Sequence, residues 1–402
     1  MDTQVKEIAM KKVRYGIIGL GNQGTSYLKR LLTPDLIPNA EVTALCDIIP
    51  ERIERAKALG NGIEFASFTD YRELIDSGKV DAILVETPHY IHPEISIYGL
   101  THGVHVLSDK PAGVYTKQIR EMNEVAKRSD KLFGLMFNQR TNCLYRKMRE
   151  MISNGMIGEI TRVNWIITDW FRSEYYYASA SWKATWQGEG GGVLSNQCPH
   201  QLDLIWWILG MKPKKIRAFC RFGKWHNIEV EDDVTAYLEY ENGATGIFVT
   251  TTGEAGGTNR LEVVGDKGKL VAEGEKLIYT SLSVGASEFS KTSQSGFMEP
   301  DKTITEVETD GMNEQHVGIL KNFTNAILGT EPLFVDGTEG IHGVELMNAM
   351  LLSTFLDKTV DLPIDEDIYL EELKKKIASS KLKDSKDIIM DTEGSYGSTP
   401  TK

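Results

Sequence analysis

The feature that most constrains this chain is a glycine-rich turn, GLGNQG at residues 19–24, between a β-rich run and a helical pattern. Such a turn is typical of dinucleotide-binding βαβ units when a strand precedes it and a helix follows it. Its first glycine permits the tight turn, its second lets a pyrophosphate approach the backbone, and its third lets helix and strand pack closely. The alternative is a tight strand-to-helix turn that holds no ligand. The predicted cofactor contacts of the turn are Gly19, Gly21, Asn22, Gln23 and Gly24.

A carboxylate at the end of the next predicted strand favours NAD over NADP. Asp47 lies 23 residues beyond the last glycine of the turn and follows the strand predicted for residues 41–46. A carboxylate at this place accepts hydrogen bonds from an adenosine ribose diol and repels a 2′-phosphate. Ile48 follows it, in place of the arginine or serine that often helps to hold that phosphate. Arg52 and Arg55 nearby leave NADP as the less favoured cofactor.

Strands and helices continue to alternate through residue 137, which predicts a parallel sheet with right-handed crossovers. Ligands of such sheets gather at the carboxyl ends of the strands, and two polar clusters fall there. ETPHYIH (86–92) follows a strand predicted at 80–85, and DKP (109–111) follows one predicted at 104–107. The further cofactor contacts predicted at this edge are Thr87, Pro88, His89, His92, Asp109, Lys110 and Asn138.

Lys110 is the most informative residue of that edge. A lysine at the mouth of a sheet is ordinarily a solvated surface charge. Here Pro111 stiffens its turn, and the nicotinamide of the predicted cofactor belongs to the same domain. Desolvation and a positive ring nearby would lower the pKa of the lysine, and its ammonium could hydrogen-bond a substrate hydroxyl.

A second polar stretch combines three glycines with an amide, an imidazole and a carboxylate. Residues 190–192 are glycines, which are costly inside a helix and suit a loop whose backbone approaches a ligand. Asn196, His200 and Asp203 follow at i, i+4 and i+7, so one continuous helix would present all three on one face. This spacing predicts one wall of a cleft. The alternative is a helix start capped by Ser195 or Asn196, with His200 a structural residue.

The stretch before that loop, residues 169–189, is rich in aromatic and polar side chains. Two interpretations stay open: a hydrophobic patch for a neighbouring subunit, or a platform on which sugar rings stack. Its position directly before the glycine loop favours the second.

The sequence after the histidine predicts strand hairpins, the first of which turns at Asn242-Gly243. It then predicts a surface excursion with a strand or two at 281–311 and helices at 313–329 and 338–357.

In order and spacing, the glycine turn, Asp47, ETPHYIH, the Asp-Lys-Pro turn and the glycine stretch ending in Asn-x-x-x-His-x-x-Asp resemble the Gfo/Idh/MocA oxidoreductases. The resemblance implies an α/β Rossmann dinucleotide-binding domain followed by an α+β domain with a large, mostly antiparallel, open-faced sheet. It also implies NAD-dependent oxidation of a secondary hydroxyl of a sugar, cyclitol or glycoside, and a dimer or tetramer formed through the open sheet face. The expected divisions are a Rossmann domain (1–138), a substrate and oligomerisation domain (139–378) whose last helices can pack back on the first, and a polar tail (379–402).

Three catalytic positions can be matched through the resemblance. Lys110 corresponds to the lysine of a Glu-Lys-Pro turn, and His200 corresponds to the catalytic histidine. Asn196 stands where relatives usually have aspartate, so a proton relay there is lost and only orienting hydrogen bonds remain. We expect His200 to remove a ring-hydroxyl proton, Lys110 to hold the same oxygen, and Asp203 to hold His200 or bind substrate. The predicted substrate contacts are Lys110, Arg140, Trp170, Arg172, Tyr175, Trp182, Asn196, His200, Asp203 and His316.

Other functional classes stay open. A glycosidase could use NAD transiently, by oxidising beside C2, eliminating the aglycone and returning the hydride. A non-catalytic NAD-binding sensor could share the fold, although the presence of both Lys110 and His200 argues against it. Within the oxidoreductases, oxidation at C3 of a glycoside or anhydrosugar is a further variation.

Charge and composition argue against several partners. The chain has 45 Lys and Arg against 57 Asp and Glu, a formal net charge of −12, whereas nucleic acids and anionic membranes require basic patches. No apolar run approaches the roughly 20 residues that span a bilayer. The first residues do not resemble a secretion signal, and the four cysteines contain no Cys-x-x-Cys pair. The sequence therefore predicts a cytoplasmic protein with no metal site.

Overall fold

A six-stranded parallel sheet forms the centre of the amino-terminal half in the computed structural model, which describes residues 12–384 and residue 388. Its strands are β1 (Val13–Ile18), β2 (Ala40–Cys46), β3 (Ala66–Phe68), β4 (Ala82–Val85), β5 (His105–Ser108) and β6 (Phe133–Leu135). They lie in the order β3-β2-β1-β4-β5-β6, and every neighbouring pair is parallel. The order reverses between β1 and β4, and this reversal leaves a crevice at their carboxyl ends where dinucleotides bind in such folds.

Five helices alternate with these strands. They are α1 (Asn22–Leu32), α2 (Pro50–Leu59), α3 (Tyr71–Asp76), α4 (His92–Thr101) and α5 (Thr116–Ala126). The central strands are apolar and almost wholly buried, as strands covered on both faces must be. Helix α1 buries Tyr27, Leu28 and Leu31, whose three- and four-residue spacing places them on one side. The predicted α/β Rossmann fold is confirmed.

A nine-stranded, mostly antiparallel sheet forms the second half. Its strands are β7 (Ile160–Ile167), β8 (Pro213–Phe222), β9 (Glu231–Tyr240), β10 (Thr245–Thr251), β11 (Asn259–Gly265), β12 (Gly268–Glu273), β13 (Lys276–Leu282), β14 (Lys302–Glu306) and β15 (Val360–Asp361). They lie in the order β14-β13-β12-β11-β7-β10-β9-β8-β15, with β7 and β10 as a parallel pair. This arrangement confirms the predicted class of the second domain.

The remaining helices are α6 (Cys143–Ser153), α7 (Glu174–Tyr177), α8 (Val193–Asn196), α9 (Pro199–Leu209), α10 (Ala286–Thr292), α11 (Gln315–Ile327), α12 (Ile341–Phe355) and α13 (Glu366–Ser379). Helix α12 packs on β8, and α9 packs between α12 and α6. Phe219, Tyr237 and Ile247 point away from this helical layer, alternate with buried neighbours and are exposed. One face of the large sheet is therefore covered, and these side chains stand on the other.

Two features differ from the elements predicted from the sequence. The excursion at 281–311 contains the short helix α10 as well as β14, and the sequence patterns did not reveal α13. Helix α13 lies against α5, where Lys117 pairs with Asp367 at 2.7 Å and Arg120 pairs with Glu366 at 2.6 Å. Nowhere in the described ranges does a helix combine the length and the apolar character needed to cross a bilayer.

Candidate functional site

The glycine turn between β1 and α1 contains two glycines that the chain itself requires and one that it does not. Gly19 has a φ of +96°, and a Cβ on it would lie 2.4 Å from the main-chain oxygen of Glu86. A Cβ on Gly24 would lie 1.9 Å from the oxygen of Gly19. A Cβ on Gly21 would meet no atom of the described residues within 4 Å, so open space lies before α1. The first turn of α1 has no carboxylate and no side-chain cap, which leaves its N–H groups for a pyrophosphate.

Asp47 is held firmly at the end of β2. Its carboxylate accepts hydrogen bonds from the main-chain N–H of Leu20, at 2.7 Å, and of Ile49, at 2.9 Å. The Arg52 guanidinium lies 3.3 Å from the same carboxylate. A 2′-phosphate bound here would lie beside the Asp47 charge, whereas a ribose diol could donate to it. The geometry therefore fits NAD better than NADP.

The loops after β4 and β5 are tied together by His92. Its Nε2 lies 2.6 Å from the carbonyl oxygen of Thr87, and its Nδ1 lies 2.9 Å from that of Pro111. Burial lowers the pKa of this imidazole. Pro88 begins the short turn His89–Ile91 that leads into α4. These predicted cofactor contacts lie at the carboxyl edge of the parallel sheet, where a nicotinamide would bind.

Lys110 joins this edge to the second domain. Its Nζ donates to the main-chain oxygen of Asn196 at 2.7 Å. The side chain of Asp109 turns back on the main-chain N–H of Lys110 at 2.8 Å, and burial raises the pKa of this carboxyl. Burial also lowers the pKa of Lys110, while the negative charges of Asp109 and Glu189 oppose that shift. The lysine is thus a partly desolvated ammonium rather than a solvated surface charge.

His200 presents a neutral base beside Lys110. Its side chain is buried, its ring packs against Phe137 with centroids 6.3 Å apart, and its Nδ1 has no hydrogen-bond partner among the described residues. Burial, followed by the charges of Lys110 and His316, lowers the pKa of His200 well below its ordinary value. The imidazole is therefore unprotonated near pH 7 and can accept a proton.

The single helix predicted from Asn196 onward is in fact two helices. Helix α8 ends at Asn196, and α9 begins at Pro199, with Cys198 as its N-cap. Proline suits the first position of a helix and disfavours helical geometry in the residue before it. Asn196 and His200 therefore occupy separate helices. The alternative of a helix capped by Ser195 or Asn196 does not hold for α9 either.

Arg140 and Asp203 contact each other, which departs from the predicted substrate contacts. Both side chains are 1% exposed, and two hydrogen bonds of 2.8 and 2.6 Å join guanidinium to carboxylate. Arg140 also pairs with Glu339. Both carboxylate oxygens of Asp203 accept hydrogen bonds from Arg140. The predicted contact between Asp203 and His200 is therefore not formed.

The glycine loop packs against the protein itself. Gly190 has a φ of +79°, and a Cβ on it would lie 2.3 Å from Val114. A Cβ on Gly192 would lie 2.0 Å from the main-chain oxygen of Glu231. Gly190 and Gly192 are therefore required by internal packing, and the approach of this backbone to a ligand stays a prediction.

The predicted aromatic contacts occupy different environments. Trp182 meets His89 edge to face at 6.0 Å, which brings the aromatic segment to the cofactor edge. Trp170 is buried, whereas Tyr175 is largely exposed. Arg172 donates through Nη1 to two main-chain oxygens of its own loop.

Two other predicted site residues lie near the first domain. The ring of His316 packs against Tyr27 of α1 at 5.6 Å, with its Nε2 3.5 Å from Gln23, and burial lowers its pKa to about 3. Asn138 donates to the side chain of Gln315. His316 thus borders the glycine turn.

Sequence patterns missed several polar residues beside Asn196. The Asn196 amide donates to Glu189, and its oxygen accepts from the Tyr176 hydroxyl at 3.3 Å. Gln197 also donates to that hydroxyl, at 3.1 Å. Lys183 lies over the Tyr176 ring at 4.1 Å, and burial lowers its pKa to about 8. The position of Glu189 directly before the glycines was the one available signal.

The chain after α13 also contacts this segment. We call residues 380–384 the C-terminal strap. The Ser380 hydroxyl donates to Glu229 at 2.6 Å, and Lys383 donates to the main-chain oxygens of Ser181 and Tyr177, at 2.9 Å each. The predicted polar tail thus begins with a docked segment; its residues 385–387 and 389–402 lie outside the described ranges. Within those ranges, no group of three or more His, Cys, Asp or Glu side chains could hold a metal ion.

Comparison with known proteins gives the same picture. Residues 13–137 match the model of the oxidoreductase family with an NAD-binding Rossmann fold, and residues 145–271 match the Gfo/Idh/MocA C-terminal domain. Myo-inositol 2-dehydrogenase of Thermotoga maritima is 27% identical over 268 residues, 65% of this chain and 75% of that protein. D-glucoside 3-dehydrogenase of Escherichia coli K12 is 28% identical over 220 residues, 50% of this chain and 60% of that protein.

Solved structures share the whole architecture. The WlbA dehydrogenase of Bordetella pertussis, in complex with NADH and UDP-GlcNAcA, superposes with a TM-score of 0.72 at 23% identity, covering 88% of this chain and all of that one. This likeness concerns the fold. Together with the two matched domains, the glycine turn and the Asp47 carboxylate, it leads to one conclusion: the chain belongs to the Gfo/Idh/MocA family of NAD-dependent oxidoreductases.

Proposed function

We propose that this protein oxidises a secondary hydroxyl of a sugar, cyclitol or glycoside to a ketone. The observation that carries the proposal is the meeting of Lys110, from the cofactor edge, with the Asn196–His200 segment of the second domain. The names of two relatives, an inositol dehydrogenase and a glucoside 3-dehydrogenase, support this substrate class. The second name also supports C3 of a glycoside as the finer candidate.

Two side chains divide the chemistry at the substrate oxygen. His200, neutral because burial lowers its pKa, accepts the hydroxyl proton. The Lys110 ammonium donates to the same oxygen and stabilises the charge that develops as the proton leaves. NAD, when bound along the glycine turn and Asp47, supplies the hydride acceptor.

The aromatic segment suits the substrate side. Tyr176 contacts Asn196, and Trp182 contacts His89, so both rings lie beside the catalytic pair. Aromatic faces pack well against the C–H side of a pyranose.

The exposed Phe219, Tyr237 and Ile247 support a homo-oligomer formed through the large sheet, which sedimentation of the purified protein would test. The cytoplasmic location stays a prediction.

The test is the absorbance of NADH while the protein and NAD meet a panel of sugars, cyclitols and glycosides. Parent protein is compared with Lys110→Ala and with the matched control Lys117→Ala, an exposed lysine paired with Asp367 on α13. We expect NADH formation that depends on substrate, disappears in the first variant and persists in the second. Equal rates in all three proteins would contradict the role of Lys110.

The alternatives give different outcomes in the same assay. Release of an aglycone without accumulation of NADH would indicate a glycosidase that uses NAD transiently. Tight NAD binding without turnover on any member of the panel would favour a sensor.

A further inference from the structure

We propose that Glu189 supplies the negative charge that Asn196 lacks, and that it acts as a positioning residue for Lys110. This inference rests on the proposed function, because it concerns the same site. Asn196 provides the main-chain oxygen that Lys110 contacts, but its own side chain is an amide and cannot hold a charge. Glu189 precedes the three glycines and returns to Asn196 from seven residues earlier in the chain.

Both carboxylate oxygens of Glu189 face hydrogen-bond donors. One oxygen accepts the side-chain amide of Asn196, and the other accepts the main-chain N–H of Ala184 at 2.6 Å. Both oxygens are therefore acceptors, whereas a protonated acid would donate from one of them. Burial raises the pKa of Glu189, while these two hydrogen bonds and the charges of Lys183 and Lys110 oppose that rise.

The backbone is distorted to make this contact. Ala184 has a φ of +52°, a left-handed conformation that costs energy for a residue with a Cβ. The same residue is fully buried, and its N–H points at Glu189. Strained backbone of this kind persists where the surrounding structure imposes it, and it is concentrated at functional sites.

Asn196 links Glu189 to Lys110, because its side chain contacts the carboxylate and its main-chain oxygen contacts the ammonium. Glu189 fixes the amide nitrogen, which turns the amide oxygen towards Tyr176, and the main-chain oxygen of the same residue accepts from Lys110 Nζ. Glu189 forms no salt bridge within 4 Å among the described residues, and both of its hydrogen-bond donors are neutral. The charge of Glu189 acts on the nearby ammonium groups of Lys110 and Lys183.

This arrangement has a consequence for the reaction. When a substrate proton moves from oxygen to His200, an imidazolium forms beside the Lys110 ammonium, and the two positive charges repel each other. The carboxylate of Glu189 offsets part of this repulsion and keeps Lys110 protonated. The charged and titratable groups that interact with Lys110 are Glu86, His89, His92, Asp109, Arg172, Glu189, Cys198, His200 and His316.

The experiment moves the carboxylate between the two positions. In Glu189→Gln, we expect kcat to fall ten- to a hundredfold, NAD affinity to change less than twofold, and the alkaline limb of the kcat/KM profile to move to lower pH, because Lys110 loses its proton more readily. In Glu189→Gln combined with Asn196→Asp, where the charge stands at position 196 instead, we expect at least tenfold recovery and an alkaline limb near the parent's.

The matched control is Glu231→Gln, a buried carboxylate that accepts the main-chain N–H groups of Gly192 and Leu194. It should change the melting temperature without moving the alkaline limb. If Glu189→Gln does not fold, Glu189→Asp keeps the charge and should keep the alkaline limb near the parent's. A parent-like profile in Glu189→Gln, a shifted limb in a folded Glu189→Asp, or no recovery in a folded double variant that binds NAD would overturn the inference.

A second readout needs no substrate. The pKa of Lys110 can be followed by NMR in the NAD-bound protein after reductive 13C-methylation, with Lys110→Arg to assign the signal. We expect this pKa to fall in Glu189→Gln and to rise again in the double variant. An unchanged Lys110 pKa overturns the role of Glu189, whereas absence of turnover on every substrate, with these shifts present, overturns the proposed function alone.

Discussion

Two polar clusters border the segment 196–203, and they differ in whether their charged side chains are paired with opposite charges. In the first, the buried Arg140 guanidinium forms ion pairs with the carboxylates of Asp203 and Glu339. In the second, Lys110 meets a main-chain oxygen, and a nitrogen of His200 has no partner in the part of the chain that the structure describes. Removal of one partner from the first, closed cluster would leave a buried, uncompensated charge, whereas the groups of the second, open cluster, which have neutral partners or none, can respond to a substrate.

Removing His200 should give the largest effect, confined to catalysis. We expect His200→Ala to lower kcat on the order of 10²- to 10⁴-fold, the usual contribution of a general base. NAD affinity and melting temperature should stay near parental values, since the Nδ1 of this imidazole makes no hydrogen bond to the described residues. Steady-state kinetics and calorimetric NAD titration measure the two effects. Equal losses in turnover and NAD affinity would contradict the prediction that His200 acts in catalysis alone, and with it the distinction between the two clusters.

Breaking the closed cluster should affect stability first. We expect Asp203→Ala to lower the free energy of unfolding by about 3 kcal/mol, because it leaves Arg140 buried with one partner fewer. Urea denaturation of the NAD-bound protein measures it. Asp310→Ala, which removes an exposed partner of Arg146, is the control and should leave stability unchanged. A large fall in kcat with unchanged stability would instead return Asp203 to the substrate site.

The open cluster should respond to pH, and the direction follows from burial. In the proposed reaction His200 acts as the neutral form and Lys110 as the ammonium. The neutral form of His200 exists above its pKa, and burial lowers that pKa, so kcat/KM for oxidation should persist as pH falls through 6.5. The ammonium form of Lys110 exists below its pKa. Burial lowers that pKa too, so the rate should fall up to tenfold per pH unit before the ordinary lysine value of about 10.4. An acid limb centred near pH 6.5 would contradict the burial of His200.

The smallest effect tests the edge of the open cluster. Tyr176→Phe removes the hydroxyl that contacts Asn196 and Gln197. A hydrogen bond of this kind contributes about 1 kcal/mol, so we expect kcat/KM to fall roughly fivefold. Tyr175→Phe, on a neighbouring but exposed ring, is the control and should change nothing. A loss as large as that of His200→Ala would make Tyr176 a catalytic residue in its own right.

The cofactor half could be predicted because its chemistry is local in sequence. A strand, three spaced glycines and a carboxylate after the next strand suffice to place Gly21 and Asp47, and the structure adds only the distances. Alternation of strands and helices predicted the parallel sheet, and the hairpin turns indicated antiparallel pairs, whereas the class of the second domain was an expectation from the resemblance.

The substrate half was harder because its contacts join distant residues. Arg140 and Asp203 are 63 positions apart, so periodicity could place Asp203 on a helix but could not name its partner. The helical spacing of Asn196, His200 and Asp203 led to the prediction of one continuous helix. Pro199 indicated a break, and the structure has one between Asn196 and His200. Glu189 reaches Asn196 only because the intervening glycines allow a tight return.

The C-terminal strap bears on how members of this family are told apart. The two matched domains end at residue 271, yet Ser380 and Lys383 hold the segment that presents Tyr176, Trp182 and Glu189. That segment lies within the second matched domain, so substitutions in the strap can shift it without any change in the sequence of either matched domain. Two homologues with equal similarity over those domains can therefore differ in how this segment is held, through a few residues that follow the last long helix.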